Sequence, residues 1–149
     1  MRRFAVLVLL TALAGCGRGD GGGSESQNGT QQKGLSLKVS FDEPLRKGKA
    51  VTWTLEVENG GPDAATLVFR SGKDGDVALV QGGREVYRWS ATRYFTQAMR
   101  QERLEPGERK QFPLEDKGFS VEPGDYELTA SLESEPAPPP ARRTVKVEG

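Results

Sequence analysis

Val51-Thr52-Trp53-Thr54-Leu55-Glu56-Val57-Glu58 decides the fold class. Apolar side chains fill every second position and polar ones stand between them. Neighbouring side chains of a strand point to opposite faces, so this stretch reads as a half-buried strand. The same period of two runs through Leu35, Leu37, Val39 and Phe41, and again through Tyr126, Leu128, Ala130 and Leu132. Antiparallel sheets with one wet face show this alternation. Shorter runs at residues 65–70, 77–81, 85–90, 109–114 and 144–147 bring the expectation to about eight strands. Lys47-Gly48, Asn59-Gly60-Gly61-Pro62, Gly82-Gly83, Pro106-Gly107 and Pro123-Gly124 mark turns between them. Gly82-Gly83 suits a tight hairpin, whose primed turn needs positive φ. No segment holds a helical period, although residues 94–103 leave room for one or two helical turns.

Many short strands with frequent turns predict an all-β fold, an immunoglobulin-like antiparallel β-sandwich. Tyr126 strengthens that expectation, because such sandwiches place a tyrosine near the start of the penultimate strand. Trp53 alternates with Leu55 and Val57 and belongs in the core. Trp89, Tyr94 and Phe95 form the densest aromatic cluster and are expected to pack inward too. Ser90, Thr96 and Gln97 lie among these aromatics and are expected to satisfy backbone groups in a turn.

Working outward to the N-terminus, Met1-Arg2-Arg3 is a short positive start, followed by a run from Phe4 to Leu13 that is apolar apart from Thr11. The run is the length of a signal-peptide core and falls short of the ~20 helical residues that span a bilayer. It ends in Leu13-Ala14-Gly15-Cys16, which resembles the bacterial lipobox. The resemblance implies lipid attachment at Cys16 and cleavage just before it. Two or more acyl chains hold a protein to a membrane where one binds reversibly. Residues 17–34 are rich in Gly, Ser, Gln and Asn, with no apolar cluster, and read as a flexible tether. The expected organisation is a signal peptide over 1–15, a lipidated N-terminus and tether over 16–34, and one β-sandwich domain over 35–149.

Charge and composition narrow the function classes. Twenty-one basic side chains balance 21 acidic ones, and loss of Arg2 and Arg3 with the signal leaves the acidic set two ahead. Nucleic-acid binding needs a basic stripe, so no nucleic-acid partner is expected. The chain has no histidine and one cysteine, so no Ser-His or Cys-His pair and no internal disulfide can form. No catalytic residue, cofactor or metal is expected. Asp74 and Asp76 supply two carboxylates where calcium takes ~6–8 oxygens. Gly21-Gly22-Gly23 lacks the Lys-Ser/Thr that completes a phosphate loop.

Several pieces of the middle of the chain belong together: Thr54-Leu55-Glu56-Val57-Glu58-Asn59, Leu67-Val68-Phe69-Arg70-Ser71-Gly72, Gly83-Arg84-Glu85-Val86-Tyr87-Arg88-Trp89-Ser90, Tyr94-Phe95-Thr96-Gln97-Ala98, Leu104-Glu105-Pro106-Gly107-Glu108 and Gly124-Asp125-Tyr126-Glu127-Leu128. The set resembles the intracellular proteinase inhibitor (BsuPI) family, over roughly residues 51–132. Trp89, Ser90, Phe95, Thr96, Gln97, Pro106, Gly107 and Tyr126 carry the motif and are expected to serve mainly structure. The resemblance implies an immunoglobulin-like sandwich and inhibition of serine proteinases. Two departures stand out. Family members tend to follow the Ser-Gly with an aromatic-Asp-aromatic step, whereas here Asp76 has Gly75 and Val77 beside it. The family name also says intracellular, while the lipobox implies an extracytoplasmic domain.

The expected function is therefore a membrane-anchored, extracytoplasmic binding module that is not an enzyme. It would inhibit a proteinase by non-covalent occupation of its cleft. The alternative is a structural or accessory envelope lipoprotein that holds another envelope protein or a polymer. A substrate-like inhibitor needs an exposed loop with both ends held by the scaffold. Candidates are residues 71–76, which the glycines make mobile, residues 91–93, and the proline-rich residues 134–143, read chiefly as a stiff connector.

Overall fold

The computed structural model describes residues 34–149. The stretches expected to be a signal peptide and a tether, Cys16 among them, lie outside these residues but for Gly34. Eleven strands and one short 3-10 helix follow in order: β1 (Leu35–Ser40), β2 (Leu45–Arg46), β3 (Val51–Asn59), β4 (Ala65–Phe69), β5 (Gly75–Gln81), β6 (Arg84–Arg88), η1 (Trp89–Thr92), β7 (Arg100–Leu104), β8 (Arg109–Asp116), β9 (Gly124–Leu132), β10 (Ser134–Glu135) and β11 (Ala141–Glu148). Among the described residues no helix is long and apolar enough to cross a membrane.

One sheet has the order β1-β3-β8, and a five-stranded sheet has the order β2-β11-β9-β5-β6. All their pairings are antiparallel except that of β2, which runs parallel to β11. A small third sheet, β10-β4-β7, extends one end. Three backbone lines serve two sheets each. β1 leaves the first sheet and its continuation β2 joins the edge of the five-stranded one. The lines β4–β5 and β9–β10 run side by side, and the amide of Glu133 spans their break by donating to the Asp74 carbonyl at 2.8 Å. This is an immunoglobulin-like β-sandwich. Its corner is closed by Tyr126, whose hydroxyl donates to the Glu122 carbonyl at 2.7 Å just ahead of β9.

The core lies between the two larger sheets. Trp53, Leu55 and Val57 of β3 meet Val77 and Leu79 of β5, Leu128 and Ala130 of β9, and Val145 and Val147 of β11. These are the alternate positions that the period of two picks out. Each fully buried Leu or Val contributes about 1.5–3 kcal/mol through removal from water. Trp53 sits among Phe41, Phe119 and Tyr87 with ring centroids 5.1, 5.9 and 6.1 Å away. Its indole N–H donates to the Tyr87 hydroxyl at 3.2 Å, which in turn donates to Asp116 Oδ2 at 2.7 Å. The third sheet joins the core through Phe69, 5.4 Å from Phe112. At Gly75 the layers approach so closely that a Cβ would strike Leu55 Cδ1 and the Ser131 carbonyl. Gly82 and Gly83 turn β5 into β6 with φ of 58° and 75°, as a primed hairpin requires.

The eight expected strands are present, and three short ones, β2, β7 and β10, add to them. The expected strand over 85–90 ends at Arg88 because Trp89 opens η1. No helix forms over 94–103. The Thr96 carbonyl accepts from the Gly72 amide at 2.8 Å, and Arg100 pairs with Phe69 in β7, so the bonds a helix needs are taken. The proline-rich connector is partly strand: β10 docks on β4, and Pro138 is buried.

Candidate functional site

The segment 93–99 stands out as an irregular, exposed strap between η1 and β7. Its footing begins with Asp76, the second residue of β5. Asp76 lies on the outer face of the sheet, opposite Ser131, yet is only 2% exposed. Oδ1 accepts from the Val77 and Ser90 amides at 3.0 and 3.1 Å. Oδ2 accepts from Lys73 Nζ at 2.8 Å, Arg88 Nη1 at 3.1 Å and the Ser90 hydroxyl at 2.5 Å. Burial alone would raise the carboxyl pKa. The hydrogen bonds from Lys73, Ser90 and Arg88 outweigh it and hold the pKa below its ordinary 3.8. A carboxylate surrounded by these donors stays ionised and is a poor base for Ser90. Its role is to fix the start of η1.

Trp89 follows, buried, with its indole N–H donating to the Glu115 carbonyl at 3.1 Å. The next anchors fold back onto it. The Arg93 guanidinium lies 4.5 Å from the Trp89 ring centroid. Its Nε donates to the Trp89 carbonyl at 3.0 Å and its Nη2 to the Glu115 carbonyl at 2.8 Å. Phe95 packs on Trp89 with its ring tilted by 42° and its centroid 5.6 Å away. Thr96 is held by the Gly72 amide, and Gly72 is required there: a Cβ on it would stand 2.6 Å from Thr96 Oγ1. The strap ends at Arg100, which pairs with Asp74 and lies 4.3 Å over the Phe69 ring. Between these anchors Tyr94 is fully exposed and Met99 is 65% exposed. Gln97 and Ala98 also face solvent.

The structure thus unites the Ser71-Gly72, Asp76, Trp89-Ser90 and Phe95-Thr96 pieces of the sequence into one cluster. The Ser90 hydroxyl bonds a side chain, Asp76, instead of the turn backbone it was expected to serve; Thr96 contributes its carbonyl to Gly72, and Gln97 faces solvent. Pro106 and Gly107 belong to the turn between β7 and β8, where the Gly107 amide donates to the Asn59 carbonyl at 2.6 Å. Asn59 is itself buried, bonding the Asp63 and Leu104 carbonyls at 2.8 and 3.1 Å. Those residues and Tyr126 hold corners of the sandwich.

Three expectations are corrected. Tyr94 is outside, because the extended backbone that turns Arg93 and Phe95 toward Trp89 turns the residue between them outward. The segment 71–76 is fastened at Gly72, Asp74 and Asp76, so its glycines serve close packing. The exposed stretch is 93–99, which the candidate loop 91–93 meets only at Arg93, since residues 91 and 92 belong to η1. Met99 was missed; a lone Met in polar surroundings just before the strand-like Arg100–Leu104 was the available signal. The pairing of Asp76 with Lys73, Arg88 and Ser90, and of Asp74 with Arg100, also occupies the carboxylates considered for calcium. Among the described residues no group of three or more His, Cys, Asp or Glu side chains comes together.

Comparison with known proteins gives a family and several distantly similar structures. The solved structures include the CARDB domain of a Pyrococcus furiosus protein in complex with di-metal ions, at 16% identity, covering 76% of this chain and 87% of that one with a TM-score of 0.43. The sporulation control protein Spo0M of Bacillus subtilis is 16% identical over 78% of this chain and 50% of its own, with a TM-score of 0.48. A β-glucosidase from Listeria innocua is 20% identical over 77% of this chain and 16% of its own, with a TM-score of 0.43. Likeness at this level says nothing about function. No curated protein matches the chain. The sequence model of the intracellular proteinase inhibitor family, BsuPI, matches residues 37–137, which takes in the sandwich from β1 through β10 together with the strap and its footing; the chain belongs to that family.

Proposed function

We propose that this chain is a lipid-anchored, extracytoplasmic proteinase inhibitor that lays the strap over residues 93–99 into a proteinase cleft and performs no chemistry of its own. Membership of the family suggests a proteinase partner. The observation that carries the reading is the strap itself, an exposed, irregular segment tied down at Arg93, Phe95, Thr96 and Arg100. Pre-ordered side chains avoid the ~0.5–1.5 kcal/mol that each loses when it is immobilised on binding. A chain without a disulfide needs another brace, and the Asp76 cluster beneath Trp89 and Ser90 supplies it. The lipobox at Cys16 supports anchoring, and the Gly/Ser/Gln-rich stretch after it would let the domain reach a proteinase at the cell surface.

The test is a titration of the mature chain, with Cys16→Ser to keep it soluble, against subtilisin-like and trypsin-like proteinases. Residual activity and the fate of the chain are followed together. Saturating inhibition at equimolar ratio, with the chain intact or cut once within 93–99, is the expected outcome. Full proteinase activity at a large excess of the chain would refute the reading and leave an accessory envelope lipoprotein as the better account.

A further inference from the structure

We infer that Tyr94 is the primary specificity residue, the side chain that enters the proteinase's main substrate pocket, and that the partner is a proteinase with a deep apolar pocket. The inference rests on the inhibitor reading above and adds to it which residue is recognised and by what.

The strap and the residue that ends it carry Arg93, Tyr94, Phe95, Met99 and Arg100; three of these are held by partners and Met99 is excluded by its place. The Arg93 guanidinium is bonded to the Trp89 and Glu115 carbonyls, so a trypsin-like acidic pocket would have to pull it free. Phe95 is packed on Trp89. Arg100 is paired with Asp74, over Phe69. Met99 is exposed but sits beside β7, where the backbone enters the ladder with β4 at Arg100 and Phe69. Tyr94 alone combines full exposure with an anchored residue on each side.

The anchors also explain how such a contact inhibits. A pocket filled by Tyr94 places the Tyr94–Phe95 peptide bond at the proteinase's nucleophile. On the N-terminal side, Arg93 is held to η1 and β8. On the C-terminal side, Phe95 is held by Trp89, and the Thr96 carbonyl by Gly72. When the proteinase serine attacks the Tyr94 carbonyl, the acyl-enzyme ester forms and the Phe95 amine leaves; held on the scaffold, that amine stays in place to attack the acyl carbon, re-form the peptide bond and release the serine, so the cleft stays filled. Large aromatic side chains bring much apolar area with few rotatable bonds, which is why they dominate protein interfaces.

The experiment compares chymotrypsin, whose pocket takes aromatics, with trypsin. The mature Cys16→Ser chain is used, with Tyr94→Ala and Tyr94→Arg. Tyr94 is solvent-exposed, so unchanged circular dichroism is expected for its variants. The native residue should give inhibition of chymotrypsin well above that of trypsin. Tyr94→Ala should weaken chymotrypsin inhibition about 100-fold, the size of an interface hot spot. Tyr94→Arg should move the preference to trypsin. Inhibition that survives Tyr94→Ala and keeps its preference in Tyr94→Arg overturns this assignment while the inhibitor reading stands. Rapid cleavage at Tyr94–Phe95 with no loss of proteinase activity overturns the inhibitor reading, and this assignment with it.

Discussion

Tyr87 and Arg88 are neighbours on one strand and belong to two different constructions. Tyr87 pairs with Leu79 and faces in; Arg88 pairs with Ala78 and faces out. Inside, Tyr87 completes a cluster of Trp53, Phe41 and Phe119 that is held mainly by area and shape, with one hydrogen bond from Trp53 to Tyr87 and one from Tyr87 to the Asp116 carboxylate at its edge. Outside, Arg88 joins Lys73 and Ser90 on the carboxylate of Asp76, a cluster held by charge and directed hydrogen bonds. The inner cluster joins the two sheets and so decides whether the sandwich exists. The outer one lies on a sheet face and decides where η1, and the strap that follows it, begins. The two should therefore fail differently, the first globally and the second locally.

The largest effect should come from the inner cluster. Trp53→Ala removes a fully buried indole between the sheets and should cost about 3–5 kcal/mol. Urea unfolding followed by circular dichroism reads this as a lower midpoint of the whole transition. Strap and sandwich should be lost together. The comparison breaks if the strap becomes susceptible to proteolysis while the transition midpoint stays where it was.

Asp76→Asn comes next. It keeps the shape but removes the charge that faces Lys73 and Arg88, and the amide cannot accept at both ends. A loss of about 1–3 kcal/mol is expected, the range for a disturbed buried hydrogen-bond partner. The distinguishing readout is local: hydrogen exchange and limited proteolysis should quicken over residues 89–99 more than over β3 and β9. Uniform loss of protection would show that the outer cluster is part of the global fold.

Acid should act on the same side of the comparison. The Asp76 pKa in the folded chain is below its ordinary 3.8, through its hydrogen bonds with Lys73, Ser90 and Arg88. A group depressed in this way stabilises the fold in full above its unfolded pKa, and the stabilisation is lost as pH falls through the folded one. The unfolding midpoint should hold steady down to about pH 4 and drop below it. Asp76→Asn should show a shallower drop, measured by thermal unfolding at stepped pH. Equal slopes for the two chains would remove the charge from the account of the outer cluster.

The two constructions also differed in how far the sequence revealed them. Trp53, Leu55 and Val57 announce their burial by a period of two, because the pleat forces alternate residues to one face. Tyr126 announces its corner by its place after Pro123-Gly124. The outer cluster has no period. Asp76 stands in a run whose neighbours are also buried, and its partners Lys73, Arg88 and Ser90 are brought to it by a hairpin and a helical turn. Only the register of β5 against β6 and β9 makes them meet. Tyr94 was misplaced for a related reason. Aromatic residues close in sequence read as one core cluster, and nothing local says that Arg93 and Phe95 take the two inward places. Gly72 looked like a source of mobility, when its missing Cβ makes room for Thr96.

Ser90 provides the smallest and most discriminating change. Its hydroxyl and its amide both reach Asp76, so Ser90→Ala removes one of these bonds and leaves the other. Lys73, Arg88 and the two backbone amides still satisfy the carboxylate, so no buried charge is abandoned. The cost should be about 1.5 kcal/mol, at the low end for a bond to a charged group. If the outer cluster is a brace for the strap, that small loss should appear as faster exchange at Ser90 and in η1, and as weaker proteinase inhibition with an unchanged preference for Tyr94 over Arg at that position. Affinity would fall because a looser strap must be ordered on binding, while the pocket-filling side chain stays the same. A loss of preference with affinity intact would mean that Ser90 touches the recognised surface itself, and that the division between brace and contact has been drawn in the wrong place.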